Sequence, residues 1–220
     1  MLSRGSRRIS WLARYIARAA NTARLVNTSH FLLLDLPRGT RVGWDVLPNI
    51  SGVYDLFSER YQRHDERNTV KFLLSDSKNP GSLLNTIASA RENCRTSREV
   101  LPGPAWEQVN ELQLFANARI NDALPRRGRF DFLIEIIHRC QQLTGLLAGT
   151  MSHDHAYDFV RIGRNLERAD MTTRVIDVGA MSLKEEDEPG NLDIHVWTLS
   201  LIHISEPTRL DLASRMPASA

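Results

Sequence analysis

Residues 3–30 read SRGSRRISWLARYIARAANTARLVNTSH, and residues 153–180 read HDHAYDFVRIGRNLERADMTTRVIDVGA. In the first stretch Ile9, Leu12, Ile16, Ala19, Ala23 and Val26 recur at helical spacing and leave the arginines largely on other faces. At an offset of 150 residues the same stripe returns as Phe159, Ile162, Leu166, Ala169, Thr173 and Ile176, with Thr173 its one semi-polar member. The polar positions repeat as well: Arg14, Arg18, Thr22 and Arg24 return as Arg164, Arg168, Thr172 and Arg174. Both segments therefore read as versions of one helix, sharing an apolar stripe and an arginine arrangement.

Outward from this pair the dominant periodicity stays helical, and no convincing strand alternation is found. The expected fold class is all-α, a helical bundle with two related long helices at about 3–30 and 155–181. Pro, Gly and Asn residues between Pro37 and Gly52 mark a loop with one short turn around Trp44 to Leu47. A short helix is expected from about Val53 to Tyr61. Asn79, Pro80 and Ser82 read as a helix start, with Asn79 as cap and Pro80 at the first position, and that helix is expected to run through Arg98. The Leu101-Pro102-Gly103-Pro104 break ends it. One further helix carries Trp106, Val109, Leu112 and Phe115, and another carries Leu133, Ile136, Ile137, Cys140, Leu143 and Leu147; Pro125 to Gly128 separates them. His153 and His155 are two apart, a spacing that does not put both on one helical face, so Asp154 is expected to cap the last helix instead.

The chain has 220 residues, with 28 Lys+Arg against 26 Asp+Glu and a net charge of +2. That balance excludes a generally polybasic nucleic-acid binder, and no nucleic-acid partner is expected. The longest apolar run, Phe31 to Leu34, is four residues, so no membrane span is expected. Cys94 and Cys140 form no CxxC pair, which argues against a disulfide framework or a zinc knuckle and fits a reducing, cytoplasmic location. Arg4, Arg7, Arg8, Arg14, Arg18 and Arg24 all precede the first acid, Asp35, a pattern shared with transit peptides and membrane-surface helices. The repeat weighs against both readings, because a cleaved peptide has no reason to copy an internal helix. Glu185 to Glu188, followed by Pro189 and Gly190, reads as a solvated loop.

The two copies differ on one face. Glu167, Asp170 and Arg174 form a polar row at i, i+3 and i+7, where the first copy has Ala17, Ala20 and Arg24. Two carboxylates three apart can serve acid/base chemistry or hold a metal. The Glu-x-x-His motif of di-iron bundles is missing, so no metal is expected. The alternative is that Glu167 and Asp170 pair with arginines such as Arg164, Arg174 or one on a facing helix, fixing helix register. Arg91, Arg95 and Arg98 form a basic stripe that could grip a phosphate or carboxylate, or simply pair with Glu92 and Glu99. No Gly-rich phosphate loop is present and no cofactor is expected; both cysteines fall within helical patterns and are expected to pack as small hydrophobes.

Over roughly residues 1 to 198 the sequence resembles the alpha-E family, bacterial all-helical proteins named for a glutamate-arginine motif. The resemblance is carried by Trp11-Leu12-Ala13-Arg14-Tyr15-Ile16 with Arg18 and Asn21-Thr22-Ala23-Arg24; by Asn79-Pro80; by Ala90-Arg91-Glu92-Asn93 with Arg95 and Arg98-Glu99; by Trp106-Glu107 with Asn110; and by Gly163-Arg164 and Leu166-Glu167-Arg168-Ala169-Asp170 with Thr172 and Arg174. The family would place Glu-Arg in the first helix, whereas this chain has Ala17-Arg18; the second motif, Glu167-Arg168, is intact. The resemblance implies protein partners of the ATP-grasp ligase-like and transglutaminase-like kinds, and a part in peptide or amide-bond modification. It points to a binding or assembly component rather than an enzyme in its own right. The expected working surface comprises Arg14, Arg18, Arg91, Glu92, Asn93, Glu167, Arg168, Asp170 and Arg174. The runner-up is an enzyme using Glu167 and Asp170 as acid/base groups, and a third possibility is a purely structural bundle. Residues 199 to 220, beginning Leu199-Ser200-Leu201-Ile202-His203-Ile204-Ser205-Glu206-Pro207, resemble the conceptual translation of a sequencing-library adapter. The native chain is accordingly expected to continue beyond Thr198 with more helices.

Overall fold

The computed structural model describes residues 3–35 and 43–184; the acidic run and the adapter-like stretch lie outside them. Eight helices make up the described residues: α1 (Ser3–Asp35), α2 (Val46–Ile50), α3 (Tyr54–Arg60), α4 (Glu66–Leu74), α5 (Leu83–Arg95), α6 (Gly103–Ala123), α7 (Arg126–Thr150) and α8 (His155–Lys184). The all-α expectation holds, with the two related long helices at either end of the series.

Local chemistry sets several boundaries. Asp65 caps α4, its carboxylate accepting from the Asn68 N–H at 2.9 Å. Asp154 caps α8 as its sequence position suggests, accepting from the N–H groups of Ala156 at 2.9 Å and Tyr157 at 3.3 Å. Only Leu124 and Pro125 separate α6 from α7, so the two fold back on each other as antiparallel neighbours. The α5 boundaries differ from expectation. Asn79 is fully buried and spans a turn instead of capping a helix: its amide donates to the Phe72 carbonyl and its side-chain oxygen accepts from the Gly81 N–H. The helix begins after Ser82 and ends at Arg95, where turns take over through Val100.

Helices α1, α5, α6 and α7 close a ring, α1 meeting α5 on one side and α7 on the other, with α6 bridging the far side. Inside it lie Ile9, Leu12, Ala19, Ala23 and Val26 of α1 with Ile87, Leu112, Leu133 and Ile136, each nearly inaccessible. Helix α8 stands outside the ring against α1 and touches α2. The two related helices run parallel: Gly163 lies against Ser10, and four residues further along both chains Glu167 meets Arg14.

The stripe that buries α1 does not bury α8. Ile162, Leu166 and Ile176 are 48%, 53% and 52% exposed, and Ala169 and Thr173 face outward with them. The buried face of α8 is Ala156, Val160, Gly163, Glu167, Met171, Val175 and Val178. Gly163 explains the choice of face. A Cβ there would sit 2.2 Å from the Ser10 carbonyl oxygen, so only a residue without a side chain lets the two backbones approach this closely.

Candidate functional site

Along the α1–α8 seam the glutamate of the second copy is enclosed by arginines of the first. The Glu167 side chain is 3% exposed and accepts from Arg14 Nε at 3.0 Å, Arg18 Nε at 2.5 Å and Arg18 Nη2 at 3.0 Å. Arg14 and Arg18 are one turn apart on α1, which lets both reach a single carboxylate. Arg14 also lies over the Trp11 ring at 4.4 Å, which fixes its direction. Burial disfavours the Arg18 cation, but the hydrogen bond and charge of Glu167 outweigh it, and its pKa lies above the ordinary arginine value.

The rest of the polar row is paired within α8. Asp170 accepts from Arg174 Nε at 3.2 Å, an i, i+4 pair in which both side chains are about two-fifths exposed. Both oxygens of Glu167 are therefore engaged by α1 and Asp170 by its own helix. The Arg91 stripe is distributed in the same way. Arg91 Nε donates to Asn110 Oδ1 at 2.8 Å, and Arg91 and Arg98 approach the Trp106 ring at 5.0 and 3.8 Å. Arg95 pairs with Glu92 at 2.7 Å on the exposed face of α5, and its hydrogen bond holds the Glu92 carboxyl below the usual range. Asn93 is half-buried, its carbonyl accepting from Thr96 Oγ1 at 3.3 Å. Arg91 thus serves the α5–α6 junction, Glu92 and Asn93 are bonded locally at the end of α5, and Arg14, Arg18, Glu167, Arg168, Asp170 and Arg174 gather at α1–α8.

Where α8 stands away from α7, a cleft of about 460 Å³ opens between α1, α7 and α8. Helix α1 lines it with Ala13, Ala17, Ala20, Asn21 and Arg24; α7 contributes Cys140, Gln141 and Thr144; α8 contributes Arg164 and Arg168. Three guanidinium groups border this space, and no carboxylate does among the described residues. Arg164 Nε is buried without a hydrogen-bond partner, and so is the amide nitrogen of Asn21, a residue only 2% exposed. Arg24 Nη1 donates to Asn21 Oδ1 at 3.3 Å. Burial lowers the Arg24 pKa below the ordinary arginine value, and repulsion from Arg168 adds to the effect. Burial pushes the Cys140 thiol up to about 12 and that of Cys94 up to about 11, so neither is an activated nucleophile.

Sequence reasoning singled out Arg168 but did not place Arg24, Arg164 or Asn21 in a site. The available signal was the comparison of the two copies at one position: Glu167 in the second, Ala17 in the first. Among the described residues no helix is long and apolar enough to cross a membrane.

A family model, Alpha-E, described as a predicted alpha-helical domain with a conserved ER motif, matches residues 1–206. Among the described residues Glu is followed by Arg at Glu59-Arg60, Glu66-Arg67 and Glu167-Arg168, and the last of these is the pair carried by the α8 copy of the repeat. Neither the comparison with curated proteins nor that with solved structures finds a match.

Proposed function

The chain belongs to the Alpha-E family, and from that premise we propose that it is a cytoplasmic binding or assembly component working with ATP-grasp ligase-like and transglutaminase-like proteins in peptide or amide-bond modification. The observation that carries a binding role is the outer face of α8. Ile162, Leu166 and Ile176 present their side chains to solvent in a row, while the matching residues of α1, Leu12, Ile16 and Val26, are almost wholly buried. An apolar row of this kind on a helix is the usual anchor set for a partner's groove or helix. The acid/base alternative has less support, because both oxygens of Glu167 already accept from Arg14 and Arg18.

Leu166→Glu tests the reading directly. Leu166 is half exposed, so the substitution should leave stability within about 0.5 kcal/mol of wild type. In a capture experiment with a purified ATP-grasp ligase-like protein, the wild type should be retained and Leu166→Glu lost. Failure of the folded wild type to bind that protein would overturn the proposed partnership.

A further inference from the structure

The space between α1, α7 and α8 comes from a row of small residues on α1. Ala13, Ala17 and Ala20 stand at i, i+4 and i+7 and line the cleft, where the corresponding positions of α8 carry Gly163, Glu167 and Asp170. Three methyl groups leave about 460 Å³ open, within the range of small-ligand sites and walled further by Ile16, Leu147 and Val160. The charges around it are settled. Arg168 is already engaged, Arg24 donates to Asn21 Oδ1 at 3.3 Å, and Arg164 keeps part of its surface in solvent.

Hydrogen bonding in the cleft is not settled. Two N–H donors, Arg164 Nε from α8 and the Asn21 amide nitrogen from α1, have no acceptor, and solvent reaches neither of them. A buried donor without an acceptor destabilises the protein that carries it, so both favour an incoming oxygen; Arg164, only partly buried, has room to turn toward one. The α7 wall has the opposite character. Thr144 spends its hydroxyl hydrogen on the Cys140 carbonyl at 2.8 Å, which leaves the cleft only the lone pairs of Oγ1. A group that suits both walls accepts on the α1 and α8 side and donates on the α7 side. A carboxylate has no hydrogen for Thr144 and would set its own lone pairs against those of Oγ1. A hydroxyl accepts and donates at one atom, whereas an amide separates its oxygen and its N–H by the width of the group, as opposite walls require.

We propose that the cleft binds an uncharged amide on a short aliphatic stem, its oxygen accepting from Arg164 Nε and the Asn21 amide and its N–H donating to Thr144 Oγ1. The inference does not rest on the partner proposed above, because it uses a different face of α8.

The amide could come from a glutaminyl or asparaginyl side chain, where it is primary, or from a peptide bond, where it is secondary. NMR titrations of the full chain with butyramide, N-methylbutyramide, N,N-dimethylbutyramide and butyrate separate these sources. Saturable binding of either of the first two supports the proposal, and the tighter of the two identifies the source. The dimethyl compound, which keeps the oxygen and lacks an N–H, and butyrate should each bind roughly tenfold or more weakly than the better amide. Thr144→Val keeps the side-chain shape and removes the lone pairs. It should weaken the amide and narrow its advantage over butyrate, a change that lost packing alone does not produce. Arg164→Met should abolish amide binding with the Tm preserved or raised. No saturable amide binding to the folded wild type, butyrate binding as tightly as the better amide, an unchanged preference in Thr144→Val, or full binding to folded Arg164→Met would each overturn it.

Discussion

At the residue scale Glu167 illustrates how a polar group earns a place in a seam. Its carboxylate is nearly inaccessible, but three N–H donors from Arg14 and Arg18 meet its two oxygens, so the desolvation of the carboxylate is offset by charge-assisted hydrogen bonds. Removing one partner of a buried pair costs about 3–5 kcal/mol, because the other charge is stranded. Here the arginine side chains keep 25% and 27% of their exposure, so solvent recovers part of that, and Glu167→Ala should cost about 2–3 kcal/mol in denaturant unfolding. Glu167→Met combined with Arg14→Met and Arg18→Met should cost less than the sum of the separate changes. Additive losses would mean that the three side chains are not one coupled unit.

At the element scale the decisive contact is the closest backbone approach of α8 to α1. Gly163→Ala would put a Cβ against the Ser10 carbonyl, a backbone atom that cannot swing aside as a side chain can. Separating the helices should cost about 1–3 kcal/mol, the range of an overpacked core, although alanine is the better helix former. A Gly163→Ala protein as stable as wild type would show that α8 can slide along α1. The same contact explains which part of the fold was legible in the sequence. Helical spacing revealed α1, α6, α7 and α8, because long amphipathic periodicity and Pro/Gly breaks are local signals. It misjudged the buried face of α8. Periodicity ranks faces by hydrophobicity, and Ile162, Leu166 and Ile176 outrank a face of Ala156, Gly163 and Glu167; close approach of small residues and a paired carboxylate carry no such signal. Helix α4 carries no clear period because its buried residues, Thr69, Val70, Phe72, Leu73 and Leu74, form a nearly continuous short run, which spacing alone does not assign to a helix. The cleft was legible only in part. The offset of 150 exposes the contrast of Ala17 with Glu167, but the parallel sense of the helices, which brings Ala17 to Arg164 and Arg168, is a tertiary fact.

At the scale of the whole molecule, two further ion clusters tie the short helices to the bundle. Arg129, only 3% exposed, donates to the Ala123 and Leu124 carbonyls and at 2.7 Å to Glu66, joining the α6–α7 turn to α4; Arg126 pairs with the same carboxylate. Asp76 accepts from Arg60, from the Tyr61 hydroxyl at 2.9 Å and from the Lys78 N–H at 2.9 Å, joining α3 to the loop before α5. Burial raises both carboxyl pKa values, but the donors around them outweigh it and each ends below its ordinary value. For an acid depressed on folding, the native state binds its proton less readily than the unfolded chain does. Its stabilisation is therefore complete above the unfolded pKa, about 3.9 for Asp and 4.3 for Glu, and is lost as pH falls through the folded one. Tyr61 has the opposite sign. Burial and its bond to Asp76 raise it to about 12, so its contribution is complete below an unfolded value near 10 and is lost as pH rises toward about 12. Stability should accordingly fall below about 4, and fall again above about 8.5, where the buried Cys94 and Cys140 thiols, raised in the same sense as Tyr61, begin to oppose folding, with Tyr61 adding to the loss above about 10. Asp76→Asn should lower the plateau and flatten both limbs at once, because the tyrosine loses the carboxylate that raises it. Glu66→Gln should flatten the acid limb alone. Chemical unfolding of the three proteins across pH checks this, and an alkaline limb unchanged in Asp76→Asn would show that Tyr61 is held by burial without help from the carboxylate.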